Sequence, residues 1–143
     1  MRPEVRDILN RSADQLIGQL APSLNAQYSQ AAAAVMALLM KFAGKEYERG
    51  ADIRATENAD MRALFAELAP HVSDTALRKQ VEEAAATKDV SLTISSLNAT
   101  NHDLRRVLIA LQIWVEDNGT CEDRQRIWSV LKAMADRRIV SLF

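Results

Sequence analysis

One short polar segment holds side chains that could bind a ligand. The segment NATNHDLRR, positions 98 to 106, combines amides, a histidine and two arginines within a predicted helix. Amides both donate and accept hydrogen bonds, and the planar guanidinium of arginine binds phosphate or carboxylate groups. Arg105 therefore suits an anionic ligand group. The candidate ligand-binding or polar-core residues of this segment are Asn98, Asn101, His102 and Arg105.

Asn101 also has a purely structural interpretation. It is the one polar member of a series spaced alternately by four and three, typical of a heptad seam: Val90, Ile94, Leu97, Asn101, Leu104, Leu108, Leu111 and Val115. A lone asparagine in such a seam often fixes helix register at some cost in stability. The pattern favours a hydrogen bond from Asn101 to a neighbouring helix, and a ligand contact is the alternative. His102 lies further round the helix and is predicted to be a surface or boundary residue.

The rest of the sequence offers little catalytic or metal-binding chemistry. The chain has two histidines, His71 and His102, and four scattered glycines, too few for a histidine-rich metal site or a phosphate-binding loop. Cys121 lies at a predicted helix start, where the thiol pKa can fall. A nucleophilic role for Cys121 is the minor alternative to a simple surface thiol. We predict no cofactor, no metal and no catalytic residue, so the sequence favours a non-enzyme.

Composition limits the class of protein. The chain has 143 residues, enough for one domain with its own core. Its 18 basic and 19 acidic residues give no overall field that would attract nucleic acid or an anionic membrane. A single cysteine indicates a reducing compartment. The opening stretch lacks the apolar core of a signal peptide. We therefore expect one cytoplasmic domain over residues 1–143 that binds neither nucleic acid nor membrane.

Helical periodicity with few prolines predicts a single-domain, antiparallel all-α bundle of about five or six helices. Gly50 is expected to end the alanine-rich second helix, and Thr56 or Asn58 to cap the third. The charged stretch between them, KEYERGADIRATENAD, is interpreted as a solvated corner, with a partner-binding rim as the alternative. The fifth helix is expected from Asp89 to Asp117. The predicted inner stripe of the second helix is Tyr28, Ala31, Ala32, Val35, Leu38, Leu39 and Phe42.

An unusually apolar stretch, VLIALQIWV at positions 107 to 115, follows the polar segment. A helix that is apolar nearly all round is buried all round. Either this helix is central in the bundle, or its outer face meets another chain. The sequence also ends on two apolar residues that could dock within the chain or on a partner. The candidate interface residues are Ile109, Ile113, Trp114, Leu142 and Phe143, and the expected partner is a second copy or another protein.

The first part of the chain, RPEVRDILNRSADQLIGQLAPSLNAQYSQAAAAVMALLMKFAGKEYERGAD, resembles the start of an uncharacterised bacterial all-helical family. The resemblance covers about the first 70 residues and consists of an Arg-Pro opening, a Leu-x-Pro break and an alanine-rich helix. Genes of that family commonly lie beside acyl-CoA dehydrogenases and aminoglycoside-phosphotransferase-like kinases. The resemblance implies an association with acyl-CoA metabolism and assigns no residue a role.

Two functions remain open from the sequence. The first is a non-catalytic interaction or accessory protein, a homodimer joined through the fifth and sixth helices. The second is a small-ligand-binding or enzymatic bundle with a polar pocket around Asn101 and Arg105, whose small molecule the sequence does not identify.

Overall fold

The computed structural model describes residues 3 to 139 of the chain. All regular structure in this range is helical, which confirms the predicted all-α helical bundle. No helix among these residues is long and apolar enough to cross a membrane. The chain forms two compact units, residues 1–50 and residues 51–143. The main helices are α1 (Val5–Gln15), α2 (Gln27–Leu68), α3 (Thr75–Ala85), α4 (Ile94–Asn118) and α5 (Cys121–Arg137).

The helix α2 joins what the sequence predicts as two helices. The predicted end at Gly50 is wrong, because α2 continues without a break from Gln27 to Leu68. A glycine inside a helix costs only about 1 kcal/mol relative to alanine, which good helix formers on both sides can offset. The predicted corner between the two helices is consequently part of a continuous helix.

In the first unit, α1 pairs with the first part of α2. After Gln15 the chain continues through a π-helical turn, Leu16–Leu20, to Ser23, so the Leu-x-Pro segment that ends at Pro22 lies close to the end of this helical stretch. Asp14 of α1 forms an ion pair with Lys41 of α2, with 2.9 Å between Asp14 Oδ1 and Lys41 Nζ. A Cβ added to Gly44 would lie 3.7 Å from Arg6. Buried residues of this pair are small, which allows the two helices to approach closely: Ala13, Ala33, Ala37 and Gly44.

The predicted inner stripe of the alanine-rich helix is wrong. Tyr28, Val35, Leu38 and Leu39 have exposed fractions of 86%, 56%, 41% and 59%. The buried face of α2 in this unit carries alanine and glycine instead, because close helix pairing selects small side chains over large ones. The large apolar side chains lie on the opposite face.

The second unit contains the rest of α2 together with α3, α4 and α5. Within it, α3 packs on α4 and α4 packs on α5. Pro70 closes α2 in a 3₁₀ turn, Asp74 caps α3, and Thr120 with Asp123 forms a capping box on α5. The buried core holds Met61, Leu64, Phe65, Leu68, Ala69, Val72, Val81, Ala84, Leu104, Val107, Leu108, Leu111, Val115, Ile127 and Met134.

The start of α4 differs from the prediction. The helix begins at Ile94 rather than near Asp89, and Val90, a predicted seam residue, is 93% exposed. The Asp89 carboxylate does not cap a helix, because it accepts hydrogen bonds from Asn58 and Arg62 of α2. The predicted end at Asp117 is confirmed to within one residue, since α4 ends at Asn118.

Candidate functional site

The second unit contains a carboxylate without solvent exposure. Glu57 of α2 is 0% exposed. Arg138, just after α5, donates to both of its oxygens, from Nε at 2.6 Å and from Nη2 at 2.7 Å. Asn101 of α4 donates from Nδ2 at 3.2 Å, and Arg105 of α4 approaches through Nη2 at 3.4 Å. Three side chains from two other parts of the chain therefore share one buried carboxylate.

Asn58 extends this cluster by one residue along α2. It is 0% exposed, and its Nδ2 donates to Asp89 Oδ1 at 3.0 Å and to the Leu97 carbonyl at 3.3 Å. Its Oδ1 accepts from Asn101 Nδ2 at 3.0 Å. Asn101 in turn accepts from Arg105 Nε at 2.7 Å. Both buried amides thus use donor and acceptor groups, as buried polar atoms require.

Arg62 of α2 joins this helix to the connection between α3 and α4. Its Nη2 donates to Asp89 Oδ1 at 2.9 Å, and its Nε donates to Thr87 Oγ1 at 3.0 Å. The polar cluster, defined as Glu57, Asn58, Arg62, Asp89, Asn101, Arg105 and Arg138, therefore joins α2 to the α3–α4 connection, to α4 and to the end of α5.

The cluster holds its carboxylates in the ionised form. Burial raises the pKa of Glu57, but the hydrogen bonds and positive charge of Arg138, with Asn101 and Arg105, lower that pKa by more, so it lies below its ordinary value. The Arg62 hydrogen bond lowers the pKa of Asp89, against the smaller opposing effect of burial and with help from Asn58. Ionised carboxylates surrounded by guanidinium and amide donors form strong, charge-assisted hydrogen bonds.

The structure brings together only part of the predicted polar segment. Asn101 and Arg105 lie in the polar cluster, and Asn101 makes the predicted hydrogen bonds to a neighbouring helix. Asn98 is half-buried and accepts from Arg54 Nε at 2.6 Å. His102 is exposed on another side of α4 and does not join the cluster.

Five members of the cluster were not found from the sequence: Glu57, Asn58, Arg62, Asp89 and Arg138. The sequence places Glu57 in a solvated corner and Asn58 at a helix cap, and both interpretations are wrong because α2 has no break there. One signal was present. In a continuous helix, Glu57 falls between the buried residues Ile53 and Met61 at four-residue spacing, so it occupies a core position.

A second polar contact joins the end of α2 to the start of α5. His71 Nδ1 lies 2.8 Å from Asp123 Oδ1, and Asp123 also accepts from the Thr120 backbone at 2.9 Å. Burial raises the pKa of Asp123, but these two partners lower it by more. Asp123 therefore serves both as part of the capping box and as the partner of His71.

The other features that could carry a reaction or bind a ligand do not belong to the polar cluster. Cys121 is exposed at the start of α5. Among residues 3–139, no group of three or more His, Cys, Asp or Glu side chains is placed to hold a metal ion. A depression of about 360 Å³ elsewhere on the second unit is lined mostly by apolar residues, namely Ala66, Ala69, Pro70, Glu82, Ala85 and Ala86. None of these residues belongs to the polar cluster.

The outer face of α4 is open to solvent. Ile109 and Ile113, one turn apart, are 58% and 60% exposed. The alternative in which α4 is central and covered all round is therefore wrong. Trp114 is half-buried against the core, so it is less accessible than the two isoleucines. Leu142 and Phe143 lie outside the described residues, and their predicted docking stays a prediction.

Comparison with known proteins adds no relative: no family model, no curated protein and no solved structure matches the chain.

Proposed function

We propose that this protein is a non-catalytic helical interaction protein that self-associates, with the outer face of α4 as one contact surface. The observation that supports the proposal is the exposure of Ile109 and Ile113, large apolar side chains one turn apart on one helix face. Exposed apolar side chains that form a patch commonly mark contact sites for other chains. We include a cytoplasmic location in the proposal, based on the single cysteine.

The polar cluster supports the non-catalytic part of this proposal. Glu57 has no exposed surface, and its oxygens already accept from three side chains. A carboxylate in this state has little capacity to act as a general base or to bind a metal. The cluster is best explained as a structural connection that fixes how the helices of the second unit pack.

The test is sedimentation equilibrium of the wild type and of the double variant Ile109→Glu and Ile113→Glu. If the outer face of α4 is a contact surface, the wild type self-associates and the double variant dissociates, while circular dichroism shows unchanged helicity. Asp103→Asn is the control, because Asp103 pairs with Arg106 on the exposed surface of the same helix. A double variant that associates as the wild type does would refute this surface.

A second candidate is a small-ligand-binding bundle, because the Arg105 side chain is 41% exposed beside the buried Asn101. Its guanidinium could bind an anionic group from solvent. We would measure melting temperatures with acyl-CoA esters, which the family resemblance implies, and with nucleotides and metal ions. A ligand at about 100 times its Kd stabilises the folded state by roughly 2.7 kcal/mol. A panel without any shift would count against this candidate.

A further inference from the structure

The first unit presents a heptad seam whose side chains are mostly exposed in the described part of the chain. Tyr28, Ala31, Val35, Leu38 and Phe42 of α2 follow each other at alternating intervals of three and four residues. This is the spacing that brings side chains to one seam of a coiled coil. We name these five residues the α2 seam. Tyr28, Val35 and Leu38 are 86%, 56% and 41% exposed, and Phe42 is half-buried.

The α2 seam lies opposite the face that pairs with α1. Successive helix residues are about 100° apart, so Val35 lies about 160° from Ala33 and from Ala37. Ala33 and Ala37 are 5% and 0% exposed. The small residues of α2 are thus used within the unit, and its large apolar residues face away from α1. A pair of helices that covers only one face of α2 leaves this second stripe in water.

Charge indicates what covers the seam. Positions 15 to 40 contain no Asp, Glu, Lys or Arg. An amphipathic helix that lies on an anionic membrane usually has lysine or arginine on its polar face, and this segment has neither. A charged partner would also find nothing to recognise there. A second copy of the same uncharged, apolar seam is its natural complement, because a twofold contact places the same patch on both sides.

The seam also indicates how two copies align. Continuing the heptad beyond Phe42 leads to Lys45 and Arg49. A parallel, in-register pair would place each of these cations beside its own equivalent. An antiparallel pair centred between Val35 and Leu38 avoids this repulsion. It sets Val35 against Leu38 of the second copy, and Phe42 against the small Ala31 of the second copy.

We propose that two copies of this protein join through their α2 seams in antiparallel orientation, forming a four-helix assembly from two α1–α2 pairs. This inference goes beyond the α4 surface of the proposed function, since it uses a different unit and names the occupant. The seams of the two α2 helices then bury each other, and α1 of each copy lies on the outer side of its own α2.

The matched variants are Val35→Glu and Met36→Glu. Both side chains are 56% exposed, but Met36 lies about 100° round the helix from Val35 and outside the seam. In sedimentation equilibrium we expect Val35→Glu to weaken self-association at least about 30-fold, the loss found at a hot-spot residue of an interface. Met36→Glu should change it little. Equal effects of the two variants, or a wild type that stays monomeric at all concentrations, would overturn the inference.

Two further measurements separate this surface from α4 and fix the orientation. If Ile109→Glu with Ile113→Glu abolishes association and Val35→Glu does not, the α4 surface stands and the seam inference fails. The reverse result supports the seam and refutes the α4 surface. In a Cys121→Ser background, an oxidised mixture of Val35→Cys and Leu38→Cys chains should give mainly the mixed disulfide. A predominance of the two symmetric disulfides would refute the antiparallel pair.

Discussion

At the residue scale, the buried carboxylate of Glu57 joins α2 to α4 and to the end of α5. A buried carboxylate is costly unless it is paired and hydrogen-bonded. Here the cost is offset by Arg138, Arg105 and Asn101, which come from parts of the chain far apart in sequence. Such buried ionic groups often add little net stability but restrict how helices can align. The cluster therefore favours one packing of α2, α4 and the end of α5 over alternatives of similar apolar content.

Asn101→Leu tests whether the asparagine only specifies register. If it did, a leucine in the seam would raise stability. The structure predicts the opposite, because the change removes the acceptor of Arg105 Nε and the donor to Asn58 Oδ1. We expect the free energy of unfolding to fall by about 1–3 kcal/mol, the cost of leaving buried polar groups unsatisfied. Urea unfolding measures this change. An increase in stability would show that the amide has no essential partners.

Glu57→Gln should change both stability and its dependence on pH. The folded-state pKa of Glu57 is below its ordinary value, so its contribution is present at neutral pH and is lost as the pH falls through the folded-state pKa. We expect the variant to lose about 1.5–3 kcal/mol at pH 7, as for a charge-assisted hydrogen bond. Its stability should then fall less steeply than that of the wild type below about pH 4.3, the ordinary glutamate pKa.

The control for this variant is Asp103→Asn, which removes an exposed ion pair with Arg106. Exposed pairs contribute about 0–1 kcal/mol, so this change should be small. Parallel acid-unfolding curves for wild type and Glu57→Gln would contradict the assigned role of Glu57.

At the element scale, helix ends marked by a proline or a capping side chain could be predicted, whereas the predicted end at Gly50 and the predicted start near Asp89 were wrong. Pro70, Asp74 and the Thr120–Asp123 capping box act locally, within one turn of the chain, and the sequence shows each of them directly. The continuity of α2 through Gly50 was not predictable in this way. The continuity of the helix depends on the good helix formers on both sides of Gly50. A prediction made from the glycine alone does not take those residues into account.

The same limit explains why the sequence found only two of the seven residues of the polar cluster. Asn101 and Arg105 share one helix with a clear heptad, so their position could be calculated. Glu57, which accepts from both, and Arg138, which also donates to Glu57, are distant in sequence, and pairing across 44 or more positions depends on tertiary packing. The α2 seam shows a related error. The helical periodicity correctly identified an apolar stripe on α2. Periodicity alone does not show whether that stripe is covered by the same chain or by another one.

Thr120→Ala tests the helix cap that also positions Asp123. Thr120 Oγ1 accepts from the Asp123 backbone at 3.1 Å. Loss of such a cap costs about 1 kcal/mol, measured as a lower unfolding midpoint in urea. Ser23→Ala is the control, because the Ser23 hydroxyl donates to the Leu20 carbonyl on an exposed turn and caps no helix start. If the two alanine variants are equally stable, the capping box contributes nothing.

At the scale of the whole molecule, the two units differ in how they are stabilised. The second unit buries a core of large side chains such as Met61, Phe65 and Leu111. The first unit buries mainly Ala13, Ala33 and Ala37, which remove little apolar surface from water. Apolar burial provides most of the stability of a helix in a protein. The first unit should therefore depend on an external partner much more than the second.

Amide hydrogen exchange tests this difference and its link to self-association. In dilute protein, we expect amides of residues 27–47 to exchange much faster than those of residues 57–68, because local opening costs less where fewer apolar contacts break. Raising the protein concentration should slow exchange in residues 27–47 if the α2 seam is covered by a second copy, since binding stabilises the bound segment by mass action. The Val35→Glu variant should lack this concentration dependence, whereas Met36→Glu should keep it. Equal protection of both parts of α2 in dilute wild-type protein would mean that the first unit needs no partner.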